Sequence, residues 1–478
     1  MKIKPTWAVF CLFSLLLQLV LPVQAQKYHF YRNDGKHNVY EASKLDSMTF
    51  DEGNMLRPGK TKLYFKNQAY FDIDNKDIDS ITFGDVCRVA QMNIQTENNL
   101  PVVSKDEYVR CKIEVDGLNM FDNYVGTGRI RGRGNSTWGW YPKKPYRIKL
   151  DESSKMLGLK KNKDWVLLAN YRDPTFLMNA FAFELGDYLD MPFTNHNRFC
   201  EVTLNGDFLG LYLLTEQVEQ GGNRVDIHET KGVLISLDLD DGPSLSPHET
   251  NNFWSSVYRL PVAVKWPKDE ALTPEVKSAI REDFAELENL IKEHSCEKVA
   301  ERLDLKSFMD FYIVQEMTYN VELAAPRSMY MHKDSDQIWH FGPIWDFDAG
   351  FNFDWGSSHD YFDTPSGNYA TTLFGVDPAR NPSRGDISLF FRHLFESRTF
   401  VLQFKAYWKN VKPAMVARVT AKMDNYKLQI EEAMKRHGEV WPIGKNFQVE
   451  YNRLMEWFSR RVESLDKTIA RYPEKYGL

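Results

Sequence analysis

Two stretches near the start of the chain alternate apolar and polar residues in the same order. Residues 44–52 read KLDSMTFDE and residues 77–85 read DIDSITFGD, so Asp46-Ser47-Met48-Thr49-Phe50 matches Asp79-Ser80-Ile81-Thr82-Phe83 at an offset of 33 residues. Upstream, FYRN at 30–33 echoes YFKN at 64–67. Short period-two runs predict strands. Two copies make a small β module, too small for a solenoid, and its expected role is a structural spacer.

Strand patterns continue from about residue 88 to 240. RCKIEVDG (110–117), GRIRGRGNSTWGWYPKKPYRIKL (128–150) and EVTLNGDFLGLYLLTEQVE (201–219) all read as strands, the last turning at Asn205-Gly206, a strong hairpin signal. Between them DPTFLMNAFAFELGDYL (173–189) predicts a helix. Asp173 stands as its N-cap, Pro174 takes the first helical position, and Leu177, Phe181, Leu185 and Leu189 recur every four residues. Beyond about 270 the period turns helical, in EVKSAIREDFAELENLIKEH and LKSFMDFYIVQEMTYN, and again from about 388 to 470. A loop and strand pair at 325–351 separates the two helical regions. Strands followed by helices predict an α+β arrangement.

The ends and the composition narrow the class. Lys2 and Lys4, the apolar run from Trp7 to Leu21 and Val23-Gln24-Ala25 match a secretory leader over 1–25. No later run is long and apolar enough for a transmembrane segment in the mature chain. The expected location is therefore periplasmic, cell-surface or extracellular. A formal net charge of −6 argues against a general nucleic-acid partner. Cys87, Cys111, Cys200 and Cys296 are too widely spaced for a zinc knuckle, and either pair or stand as buried thiols.

The candidate chemistry lies at two places. Asp346 and Asp348 follow the apolar run HFGPIW, which reads as a buried strand, so period two sends both carboxylates to one side. Two like charges there call for a cation, and a hard divalent ion, Mg²⁺ or Mn²⁺, is the simplest one. The bland alternative is a pair of turn or cap residues. Upstream, Gln315 to Glu322 runs from a helix end into a loop, which sets Asn320 and Glu322 before Asp346 in the order of kinase machinery. Glu316 and Glu322 read equally well as surface or capping carboxylates. In the 128–150 stretch, Gly132 and Gly134 allow close backbone approach to an anion. Tyr146, Ile148 and Leu150 face a core there while Arg147 and Lys149 face away. A solvated basic hairpin is the commoner outcome for such a charge run.

Four blocks in order resemble the spore-coat protein H (CotH) kinase family: RGRGNSTWGWYPKKPYRIKLD (131–151), WVLLANYRDPTFLMNAFAFELG (165–186), LNGDFLGLYLLTEQVE (204–219), and Phe311 to Phe351 ending in GPIWDFDAGF. The resemblance implies an atypical protein-kinase-like fold, strand-rich at its N-terminal part and helical at its C-terminal part, using ATP and a divalent metal to phosphorylate serine or threonine on exported or surface proteins. It places Asp346 as the essential metal-binding and catalytic acid, Asp348 as the second acid and Asn320 as a further metal ligand. Glu322 stands where many relatives have Asp as the presumed catalytic acid. The expected nucleotide contacts are Gly132, Gly134, Asn135, Arg147, Lys149 and Glu216, with Lys144 as an alternative phosphate-holding lysine. The expected domains are a repeat module at 26–87, a kinase-like domain at 88–415 and a helical extension at 416–478. The competing reading is an inactive kinase-like adhesion or scaffold protein. A glycosidase fits poorly, because Asp346 and Asp348 are too close in sequence to flank a sugar ring.

Overall fold

The computed structural model describes residues 27–32, 37–54, 57–66, 70–84, 89–118, 120–293, 296–321, 325–354, 360–362, 387–442 and 444–472. The expected leader, Cys87 and Glu322 lie outside them. The chain forms two compact units: Met1–Ala169 with Arg198–Thr215 and Lys422–Gly444, and Asn170–Asn197 with Glu216–Ala421 and Lys445–Leu478.

The repeat in the first unit folds as two three-stranded antiparallel sheets that exchange strands. Each copy supplies a hairpin, a single 3-10 turn and a third strand: Lys27–Arg32, His37–Glu41 and Leu45–Asn54 in one, Arg57–Phe65, Tyr70–Asp74 and Ile78–Gly84 in the other. The third strand of each copy completes the sheet of the other, since Ile78–Gly84 pairs with Lys27–Arg32 and Leu45–Asn54 pairs with Arg57–Phe65. The core repeats at the same offset as the sequence: Phe30 with Leu63, Tyr40 with Ile73, Leu45 with Ile78 and Met48 with Ile81. The module also sits against the helix Arg398–Val440. Asn425 donates to the Val39 carbonyl at 2.9 Å, Lys27 pairs with Glu431 at 3.2 Å, and Val39 packs on Leu428.

After the module the chain forms a closed seven-stranded barrel, in the order Tyr146–Met156, Leu159–Leu168, Asp207–Glu216, Asn197–Leu204, Ala90–Thr96, Val109–Asp116 and Tyr124–Gly132. Alternation decides which side chains fill it. Ile94, Ile113, Ile130, Ile148, Trp165 and Val202 are fully buried inside, each contributing about 1.5–3 kcal/mol. The predicted Asn205-Gly206 hairpin is present, with φ of 53° and 89° as a tight turn of this kind needs. Cys111 and Cys200 are buried free thiols here, as is Cys296 in the second unit.

In the second unit a five-stranded sheet runs Asn252–Trp254, Pro261–Trp266, Val233–Leu237, Met329–Lys333 and Trp339–Phe341. Its helices include Met178–Tyr188, Pro274–Lys292, Leu305–Thr318, Ile387–Phe395 and Phe447–Ala470. The helix Leu305–Thr318 is buried on nearly every side, among Phe341, Phe391, Phe395, Phe400 and Phe404. Glu316 on this helix is not a surface or capping carboxylate. It is buried against the fully buried Arg461 at 2.6 Å and accepts the Tyr312 hydroxyl at 2.7 Å. The chain as a whole is a mixed α+β protein, strand-rich first and helical towards its C-terminal end.

Candidate active site

The site in the second unit is built where the helix Leu305–Thr318 stops. Tyr319 adopts a left-handed φ of 45°, and the Asn320 N–H turns back to Gln315 O at 3.1 Å, closing the helix end. Asn320 is buried there. The strand Trp339–Phe341 ends well before the acidic pair, so the expected strand through Trp345 is absent. Asp346 has a left-handed φ of 65°, which breaks the extended geometry that period-two reasoning needs. The two aspartates are therefore not equivalent groups on one strand face.

Four contacts fix the loop that carries them. The Phe347 N–H, between the two acids, donates to Asn179 Oδ1 at 3.0 Å, and Asn179 in turn donates to Asn170 Oδ1 at 3.2 Å. Arg172 holds the Asp348 carboxylate at 3.2 Å and its carbonyl at 3.3 Å, with its guanidinium 4.3 Å from the Phe353 ring centre. The Tyr361 hydroxyl donates to the same carbonyl at 2.7 Å. Finally, the Phe351 N–H donates to Thr318 O at 2.5 Å, which ties the loop to the helix end that bears Asn320. Gly350 permits this approach, because a Cβ there would lie 3.1 Å from the Thr318 carbonyl. The cation beside Asp348 is thus an arginine. Asp346 stays half-buried at the loop's turn.

The segment before the helix Met178–Tyr188 supplies these anchors. The helix starts four residues later than its sequence pattern predicts, with Leu177 at the N-cap position, yet the Asp173 carboxylate still reaches its first N–H: it accepts the N–H of Met178 and of Thr175, each at 2.8 Å, and the Thr175 hydroxyl at 2.6 Å. Burial pushes the Asp173 carboxyl up to about 6 against the pull of those hydrogen bonds. Arg172, just before the predicted helix, and Asn179, within it, both lie in the block 165–186 that resembles the family, but nothing in the sequence assigned either a role.

The nucleotide candidates of the first unit occupy the barrel and its rim. Arg147 and Lys149 point outward, as expected, and share the buried Asp164 at 2.6 and 3.7 Å. Gly132 is needed because the Trp138 ring fills the place of a Cβ, and Gly134 turns left-handed at φ 80°. The N–H groups of Gly132 and Arg133 are taken by Ser104 O and Pro145 O, so neither is an open anion donor. Asn135 accepts Lys105 Nζ at 2.8 Å, and Lys144 Nζ donates to Trp138 O at 2.5 Å. Its neighbour Lys143 is buried, donating to Ala169 O at 2.6 Å and to Leu211 O, and burial holds its pKa well below the usual lysine range. Glu216, counted with the second unit, accepts the His196 N–H at 2.7 Å and lies 3.1 Å from His196 Nδ1.

Among the described residues no three His, Cys, Asp or Glu side chains converge into a cage. Asp346 and Asn320 each carry an oxygen donor, the ligand type that a small hard cation takes together with water and phosphate oxygens. A family model described as CotH kinase protein matches residues 130–465. No curated protein matches the chain significantly.

Proposed function

Since the chain belongs to the CotH kinase protein family, we propose that it is an exported protein kinase that moves the terminal phosphoryl group of ATP to a serine or threonine hydroxyl of an exported or surface protein. Membership carries a protein-kinase-like function with a protein substrate. The serine class, the export and the metal dependence are our reading. We read the fold as an atypical kinase-like one that follows a leader over 1–25 and the repeat module at 26–87, with the helical C-terminal segment counted as part of it, since one helix, Arg398–Val440, runs through the expected 415/416 boundary.

The observation that carries the proposal is the clamped loop around Asp346. Phosphoryl transfer asks little covalent chemistry of a protein and much positioning. Asn179, Arg172, Tyr361 and Thr318 hold the loop at Phe347, Asp348 and Phe351. On this reading Asp346 and Asn320 hold Mg²⁺ or Mn²⁺, which would neutralise charge on the transferring group. Lys149 and Arg147 hold phosphate oxygens, with Lys144, Asn135, Gly134 and Glu216 as the further nucleotide contacts, and Gly132, whose N–H is already taken by Ser104, only shapes the turn. Glu322 orients the acceptor hydroxyl and takes its proton, while the phosphorus–oxygen bond to ADP breaks and the bond to the acceptor oxygen forms.

The test is incorporation of label from radiolabelled ATP into the chain itself or into casein, with Mg²⁺ or Mn²⁺. Asp346→Ala is expected to lower it roughly a hundred- to a thousandfold. Absence of incorporation by the wild type, together with no nucleotide-dependent thermal shift, would sink the proposal. A kinase-like scaffold without turnover is the second reading, favoured by Asp348 being committed to Arg172. It requires partner binding that survives Asp346→Ala without nucleotide.

A further inference from the structure

Residues 128–164 hold eleven lysines and arginines and three acids, in a chain of net charge −6. The barrel sorts them by face. Ile130, Ile148 and Leu150 fill the interior, so Arg129, Arg131, Arg147 and Lys149 share the outer face. Register then sets Arg131 opposite Arg147, Arg129 opposite Lys149, and Arg110 of the next strand opposite Arg129. Like charges directly opposed on a sheet destabilise it. Two adjacent rows of such pairs are costly to the fold unless something anionic meets them.

The face already holds two anions, and both are carboxylates. Asp151 takes Arg110 in a two-pronged pair at 2.7 and 2.9 Å, and Asp164 takes Arg147 at 2.6 Å. Arg129 and Arg131 make no ion pair among the described residues. Their guanidinium groups lie 4.9 and 5.0 Å from the Tyr108 ring centre. Stacking of that kind fixes a guanidinium without using its in-plane donors, which match a carboxylate fork.

We propose that Arg129 and Arg131 on this outer face, and not the Arg147 and Lys149 that the kinase reading gives to phosphate, dock an acidic segment of a protein partner, whose carboxylates extend the ladder that Asp151 and Asp164 begin. Alternate side chains of an extended peptide recur every ~6.8 Å, the spacing of Arg129 and Arg131 along their strand. The proposal goes beyond phosphoryl transfer. If the kinase reading holds, it also names the acceptor as a protein with an acidic stretch.

The experiment is fluorescence anisotropy of a labelled polyglutamate peptide with the full chain, without nucleotide, so a chain that never transfers phosphate can pass and an active kinase can fail. Saturable binding that weakens with salt is expected, and about a tenfold or greater loss in the pair Arg129→Glu/Arg131→Glu. The milder pair Arg129→Gln/Arg131→Gln, checked for a wild-type circular dichroism spectrum and thermal midpoint, decides the matter if the glutamate pair does not fold. No saturable binding by the wild type overturns the proposal, as does unchanged binding by the glutamine pair. Displacement of the peptide by Mg–ATP would assign the face to nucleotide, and tighter binding of a DNA oligomer would assign it to nucleic acid. Either result overturns it too.

Discussion

Arg172 is the residue on which the geometry around Asp348 turns. Its side chain is 6% exposed, and it holds both the carboxylate and the carbonyl of Asp348. Arg172→Ala is expected to lower kcat about a hundredfold through a misplaced loop, with the KM for ATP little changed; equal losses in binding and turnover would refute a positioning role. Asp173 beside it makes a titration prediction. Its folded pKa, about 6, lies above the ordinary value of 3.8. Between those values the unfolded chain ionises first, so this group's contribution to stability is full below about pH 4 and declines as pH rises to about 6. The loss is on the order of a few kcal/mol. Denaturation midpoints across that window should show the slope, and Asp173→Asn should remove it. At this scale a motif drew attention to the loop at Asp346, but not to the left-handed turn the chain makes there. The sequence was silent at Arg172 and Asn179, whose importance comes from partners more than 150 residues away.

Elements were read more reliably than their ends. The helices at 274–292 and 305–318 and the hairpin at Asn205-Gly206 follow directly from periodicity and turn chemistry. The helix predicted from Asp173 begins at Met178, because Asp173 first closes a turn through Thr175 and only then reaches the helix N–H. The strand predicted through Trp345 stops at Phe341, since apolar burial alone does not separate a strand from a packed loop. Nor did amphipathic pattern reveal that Glu316 lies inside. Its partner Arg461 is on the helix Phe447–Ala470, and both are buried. Arg461→Met leaves that carboxylate uncompensated and should cost about 3–5 kcal/mol in urea unfolding. Adding Glu316→Gln should recover part of the loss. No recovery would show that packing, not charge, dominates there.

For the whole molecule, the division into strands and then helices was legible, and the repeat was legible as strands. The exchange of strands between its two copies was not, because period two fixes a face but not a neighbour. The attachment of this module to the helix Arg398–Val440 was equally hidden, so the module is a packed part of the first unit, not a spacer standing apart. Asn425 is buried, and Asn425→Ala leaves the Val39 carbonyl without this donor. The expected loss is about 1–3 kcal/mol, read as faster proteolysis within residues 27–84; unchanged cleavage would refute it.

That attachment also sets an order of events during synthesis. Val39 and Asn425 are separated by 386 residues, and a ribosome adds about 5–20 residues per second. Roughly 20 to 80 s therefore pass between the emergence of the Val39 strand and that of the helix that covers it. Within the module itself, Lys27–Arg32 must wait for Ile78–Gly84, the last strand of the second copy. The first part of this fold to be made is among the last to be finished.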